Sequence, residues 1–256
     1  MMETELLRQK KDTDFNQSTS QFVIKRKKQN LKQKAVVFDS GTLINLSMNG
    51  LLYILEELKQ LNSIKFFITH YVKNETVNRP IGIPRFELGA LRIQNLIENK
   101  TIEMPESINI PNSQIESITQ DLLDKANHTV QSNGKWINIV SNAEMSCLAL
   151  SMILTRNNVE NFIAIDERTT RILSEKPQNL KEIMEKKLHQ EIKIDEKNFS
   201  DFKDFKFIRS TELVYVAHKK GILDVAGAKA LEAALYATKF HGSSVSFEEI
   251  NVLKRL

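Results

Sequence analysis

Two short apolar runs constrain this chain more than any other feature. Ala35-Val36-Val37-Phe38-Asp39 and Asn161-Phe162-Ile163-Ala164-Ile165-Asp166 each end abruptly in aspartate. Apolar, partly β-branched runs of this length, closed by polar turn formers, read as strands buried on both faces, as in a parallel sheet. Lys65 to Thr69, Trp136 to Val140 and Phe205 to Arg209 read as further strands. Helical periodicity fills the intervals: Thr42 to Leu61, a stretch from Thr69 through Tyr71, Val72, Glu75 and Val77 to Arg79-Pro80, Phe86 to Glu98, Gln114 to Val130, and Asn142 to Leu154. Strands alternating with helices predict an α/β fold, a central parallel sheet flanked by helices with right-handed crossovers.

The rest of the chain divides by composition. Residues 1–34 are polar and carry the basic run Lys25-Arg26-Lys27-Lys28, which reads as a solvated arm. The alternating strands and helices of the expected α/β domain occupy 35–223. Within it, 175–201 is charge-rich and reads as an insertion outside the core, with one amphipathic helix marked by Leu180, Ile183, Met184 and Leu188. A helical extension covers 224–256, with helices over Ala226 to Phe240 and after Ser246, where Ser246 and Glu249 form a capping box. The net charge of +4 permits a polyanionic partner without requiring one. The single cysteine, Cys147, excludes an intrachain disulfide. No window has the roughly 20 apolar residues of a membrane helix, and the MMETELLRQKKDTDF start lacks an apolar signal-peptide stretch. The expectation is a soluble, cytoplasmic protein.

The chemistry lies in carboxylates. Ligands bind at the C-terminal edge of open α/β sheets, where the two strands deliver Asp39 and Asp166. Glu75 follows the second strand by one helix, and Glu144 stands in the opening turn of the apolar helix. Taken singly, each has a plainer reading: Glu144 favours a helix dipole, and Asp39 and Asp166 are cap or turn residues. Taken together, four converging acids repel one another unless cations neutralise them. Oxygen donors of this kind suit Mg²⁺ or Mn²⁺, and the natural chemistry is phosphodiester hydrolysis.

The segment FDSGTLINL resembles the D-[ST]-x-x-L-I opening of PIN domains, the PilT N-terminus-like nucleases. THYVKNETV, AEMSCLALS and IAIDERTTRIL are similar to that family's later acid-bearing blocks, and STELVYVAHKKGIL resembles a strand-to-helix block of one subgroup. The resemblance implies a PIN-like fold and a metal-dependent ribonuclease acting on single-stranded RNA, with Asp39, Glu75, Glu144 and Asp166 as the metal-binding and catalytic set. It implies that Ser40 and Thr42 orient ligand or water. Arg168 is the arginine expected to meet substrate phosphate; Arg79, Arg85, Arg92 and Arg171 read equally as a phosphate path or a solvated face. Dimerisation, and an antitoxin or RNA-processing partner, also follow from the resemblance. Ala143 stands where the family often has Gly.

Two other readings compete. The alternative within the fold is a PIN-like RNA-binding or assembly subunit without turnover. Haloacid dehalogenase-like phosphatases open with D-x-D-G-T, but Asp39-Ser40-Gly41-Thr42 lacks the second aspartate. The five histidines show no metal-ligand spacing. Trp136 and Tyr71 are candidates for base stacking or for core packing.

Overall fold

The computed structural model describes residues 33–61, 64–175, 177–227 and 229–256; the expected arm through Lys32 lies outside the described residues. The chain opens with β1 (Lys34–Phe38), α1 (Ser40–Met48), α2 (Tyr53–Leu61) and β2 (Ile64–Phe67). Next, α3 (His70–Lys73) runs into a π-helical turn, Asn74–Asn78, and a 3-10 turn, Pro80–Gly82. Then come α4 (Pro84–Glu98), β3 (Ile102–Glu103), α5 (Asn112–Asn127), β4 (Val130–Ser132), β5 (Lys135–Trp136) and α6 (Asn142–Arg156). The second half holds β6 (Glu160–Ala164), α7 (Arg168–Glu175), α8 (Leu180–Leu188), β7 (Lys193–Ile194) and β8 (Phe207–Ile208), and closes with α9 (Ser210–Lys219), α10 (Ala230–Phe240) and α11 (Phe247–Arg255).

The fold is α/β. Five strands form one sheet in the order β3-β2-β1-β6-β8, with every neighbouring pair parallel. The chain builds outward from β1 to β2 and β3, then returns to lay β6 on the other flank of β1. That reversal makes the C-terminal ends of β1 and β6 a topological switch point, the place where sheets of this type bind ligands in a crevice. The central strand is correspondingly dry, with Ala35, Val37 and Phe38 fully buried. Helix α6 packs on β1 and β6 and is covered in turn by α5. This sandwiching explains why Met145, Cys147, Leu148, Leu150 and Leu154 are all buried on one helix with no polar stripe.

The structure departs from the sequence reading in four places. The helix expected over 42–61 is two helices, because α1 ends in a Schellman-type cap. Gly50 takes φ +69°, its amide bonds the Ser47 carbonyl and the Leu51 amide bonds the Leu46 carbonyl at 2.8 Å. The strand expected over 136–140 is reduced to Lys135–Trp136 and does not join the main sheet. It turns back on β4 through Asn133-Gly134 to make a separate antiparallel sheet, β5-β4-β7. Because Val130 pairs with Ile194 in that sheet, α5 stops at Asn127 rather than reaching Val130. Finally, the charge-rich stretch is not peripheral. Leu180, Met184, Ile192 and Phe202 are buried in the common core, since the apolar face of α8 has to leave water whatever its other face carries.

Among the described residues, no helix is long and apolar enough to cross a membrane. The burial of Leu180 and Met184 predicts that Leu180→Ala and Met184→Ala each cost about 2–4 kcal/mol of global stability in urea unfolding. Unchanged midpoints would return this segment to the periphery.

Candidate active site

Asp39 ends the central strand and begins the helix after it. Its amide still joins the ladder, bonding the Ala164 carbonyl at 2.9 Å. Its side chain caps α1, with Oδ2 accepting from the Gly41 amide at 3.1 Å. A side chain at position 41 would bring its Cβ to 3.3 Å of the same oxygen, so glycine there lets the capping carboxylate sit tightly over the turn. An N-cap normally steadies the ionised form, yet here burial dominates. Asp39 is 4% exposed, and its Oδ1 has no hydrogen-bond partner. Burial pushes its carboxyl up to about 7, with repulsion from Glu75 and Asp166 added; the Gly41 and Ser40 amides only partly offset this.

Asp166 follows β6 across the crevice and is held quite differently. Its Oδ1 accepts from the Ser210 amide at 2.9 Å, the Ser210 hydroxyl at 3.0 Å and the Ser243 hydroxyl at 2.9 Å, while Oδ2 accepts from Asn45 Nδ2 at 3.1 Å. Donors from α1, α9 and the α10–α11 loop therefore converge on one carboxylate. Asn45 Nδ2 also donates to the Thr238 carbonyl at 2.8 Å, tying α1 to α10. Burial still raises the Asp166 titration, and the bonds from Ser210, Ser243 and Asn45 pull against it. Behind this loop, Arg171 Nη2 and Arg209 Nη1 both donate to the Ser244 carbonyl, each at 3.2 Å. Arg209 is anchored by Glu212 and by Glu249 at 2.9 Å. The clamp keeps Ser243 against Asp166.

The two glutamates come from helices that are bonded to each other. Thr69 caps α3, and its hydroxyl meets that of Ser146 on α6 at 2.6 Å. Glu75 lies in the π-helical turn, where Thr76 Oγ1 donates back to the Val72 carbonyl at 2.8 Å and helps widen the helix. Glu75 Oε2 accepts from the Ser40 hydroxyl at 2.5 Å. Glu144 forms the capping box of α6, its Oε2 accepting from the Ser141 amide at 2.6 Å. Burial first and the Asp39 charge second push Glu144 up to about 7.

The four expected acids thus share one edge of the sheet and act on one another electrostatically through Asp39. Ser40 joins them. Thr42 is fully buried in α1, and its Oγ1 has no hydrogen-bond partner. Arg168 is exposed at the start of α7. Sequence reasoning missed Asn45, Ser210 and Ser243, the donors to Asp166. Asn45 left a trace, an amide within the apolar LINL stretch of α1; Ser210 and Ser243 left none. It also missed Glu167, which caps α7 by accepting from the Thr170 amide at 3.1 Å and adds repulsion at Glu144.

As the side chains stand, no three His, Cys, Asp or Glu groups among the described residues are gathered into a cation site. Glu75 is turned to Ser40 and Glu144 to the Ser141 amide. The donor set nevertheless suits a hard divalent ion: every donor is a carboxylate oxygen, one buried oxygen has no partner, and the mutual repulsion calls for positive charge. Set against known protein families, curated proteins and solved structures, the chain matches none of them.

The raised titrations carry a signed consequence. Folded Asp39 and Glu144 keep protons to about pH 7, whereas the unfolded chain releases them near pH 4. Their contribution to stability is therefore complete below about pH 4 and is lost as pH rises towards about 7. In chelator, the melting temperature should fall across that window, and Asp39→Asn should flatten the fall. Mn²⁺ should raise the melting temperature more at about pH 8 than at about pH 5. The same slope in wild type and Asp39→Asn would show that the Asp39 charge is not the source.

Proposed function

We propose that this chain is a divalent-metal-dependent nuclease of the PIN type that hydrolyses phosphodiester bonds of single-stranded RNA. The observation that carries the reading is Asp39. Capping α1 engages only Oδ2; the other oxygen is held dry and unpartnered, and Glu75 and Asp166 add to a titration that burial already raises, a cost that the cap alone does not require. Asp39, Glu75, Glu144 and Asp166 are the residues that would hold Mg²⁺ or Mn²⁺. When bound, such an ion supplies positive charge for the phosphate and for a leaving oxygen and lowers the pKa of water.

The chain's own groups divide the remaining work. Asp166, fixed by Asn45, Ser210 and Ser243, is the rigid reference point of the site. The Ser40 hydroxyl steadies Glu75. Glu144 is held in place by the Ser141 amide at the start of α6. Single-stranded RNA is the substrate that the PIN resemblance supplies, and its unstacked bases and exposed phosphates suit a site at the edge of the sheet. The larger-than-minimal domain fits RNA processing better than a toxin; a cytoplasmic location and a homodimer or protein partner belong to the same proposal.

One observation favours the second reading, a binding or assembly subunit without turnover: Glu75 and Glu144 are both already engaged by neighbouring serines. Cleavage of end-labelled single-stranded RNA in Mn²⁺, in Mg²⁺ and in chelator separates the two. The expected result is metal-dependent cutting that falls about 100-fold or more in Asp39→Asn and in Asp166→Asn. Full activity in either variant overturns the site, and RNA binding without cutting by wild type selects the subunit reading.

A further inference from the structure

The α10–α11 loop, which places Ser243 on Asp166, is bracketed by aromatic side chains. On α10, Tyr236 and Phe240 stack with ring centres 6.2 Å apart and planes within 21°. Phe247, at the start of α11, lies 6.1 Å from Tyr236. The Lys239 ammonium sits 4.3 Å from the Phe247 ring centre and donates to the Val245 carbonyl. Helix packing accounts for Tyr236, which is half-buried between the two phenylalanines. It does not account for Phe240, which keeps 73% of its surface in water while one face is stacked, or for Phe247 at 49%. Phe240 and Phe247 stand three and four residues from Ser243, at most about 14 Å of chain.

We infer that Phe240, backed by Tyr236 and flanked by Phe247 and Lys239, is a stacking platform for the bases of single-stranded nucleic acid bound at the acidic crevice. The inference deepens the nuclease reading and rests on it for the position of the strand. The chemistry is that of sequence-tolerant recognition, in which exposed rings receive base faces and a neighbouring cation meets the phosphate. The stacked order matters physically. A ring already supported on one face loses little freedom when a base covers the other, and the loop that follows it is pinned at Ser243 and at Val245. A duplex, whose bases are covered, offers no faces to such a platform.

The test is binding, measured in chelator so that cleavage plays no part. The probe is a fluorescein-labelled oligouridylate read by anisotropy, with a duplex RNA of the same length as comparison. Phe240→Ala should weaken oligouridylate binding about five-fold or more, and Phe240→Tyr should keep it. Duplex binding should be the same in all three proteins. Unchanged affinity in Phe240→Ala, or no oligouridylate binding by wild type, overturns the platform. So does self-association that Phe240→Ala abolishes in sedimentation while affinity stays the same, which would make the face a protein interface. Cleavage is scored separately. Base binding that depends on Phe240 without metal-dependent cutting leaves the platform and removes the nuclease, whereas cutting with a silent Phe240→Ala does the reverse.

Discussion

The parallel ladder between β1 and β6 carries one bond past the end of β1, from the Asp39 amide to the Ala164 carbonyl at 2.9 Å. That bond sets how the two aspartates face each other. Side chains alternate across a strand, so a slip of one residue would exchange Asp39 with Phe38, turning the acid to the other face and the ring into the crevice. The register is therefore guarded by the core itself: Val36 pairs with Phe162, Val37 with Ile163 and Phe38 with Ala164, and each lies between helices that would lose their packing. Hydrophobic burial fixes the acidic geometry here, and the polar contacts refine it.

The refinement is unequal across the crevice. Asp166 is surrounded by donors, whereas Asp39 has one capping amide and one bare oxygen. Both are buried, so both titrate above their ordinary range, but only Asp39 is left with unspent capacity to accept. A site with one saturated acid and one unsatisfied acid is stiff on one side and electrostatically open on the other. The glutamates stand between the two, each accepting from a serine, Glu75 from the Ser40 hydroxyl and Glu144 from the Ser141 amide.

How much of this could be read from the sequence depends on the range of the interaction concerned. Strands β1 and β6 and the positions of Asp39 and Asp166 were legible because a short apolar run ending in an acid encodes its own burial and its own end, and β2 because its apolar run stops at Thr69, a helix cap. The Schellman-type cap at Gly50 was also written locally, in Asn49-Gly50, but the apolar periodicity on either side overrode it. The small antiparallel sheet was not legible, since β7 is two residues long and meets β4 only through the tertiary fold. The donors to Asp166 were invisible for the same reason. Asn45 and Asp166 are separated by 121 residues, and a serine carries no mark of the carboxylate it will meet. Charge content misled in the opposite sense, hiding the buried face of α8 behind its lysines and glutamates.

Ser243 reaches Asp166 from 77 residues further along the chain. Synthesis proceeds from the N-terminus, and domains begin to fold as they emerge. Asp39 and Asp166 are therefore made well before α10, which joins α1 through Thr238, and the loop after it, which supplies the last hydroxyl to Asp166. A nascent chain can pair its central strands while this carboxylate still lacks a donor. The acidic edge of the sheet therefore reaches its final form only when α10 and the loop after it have docked.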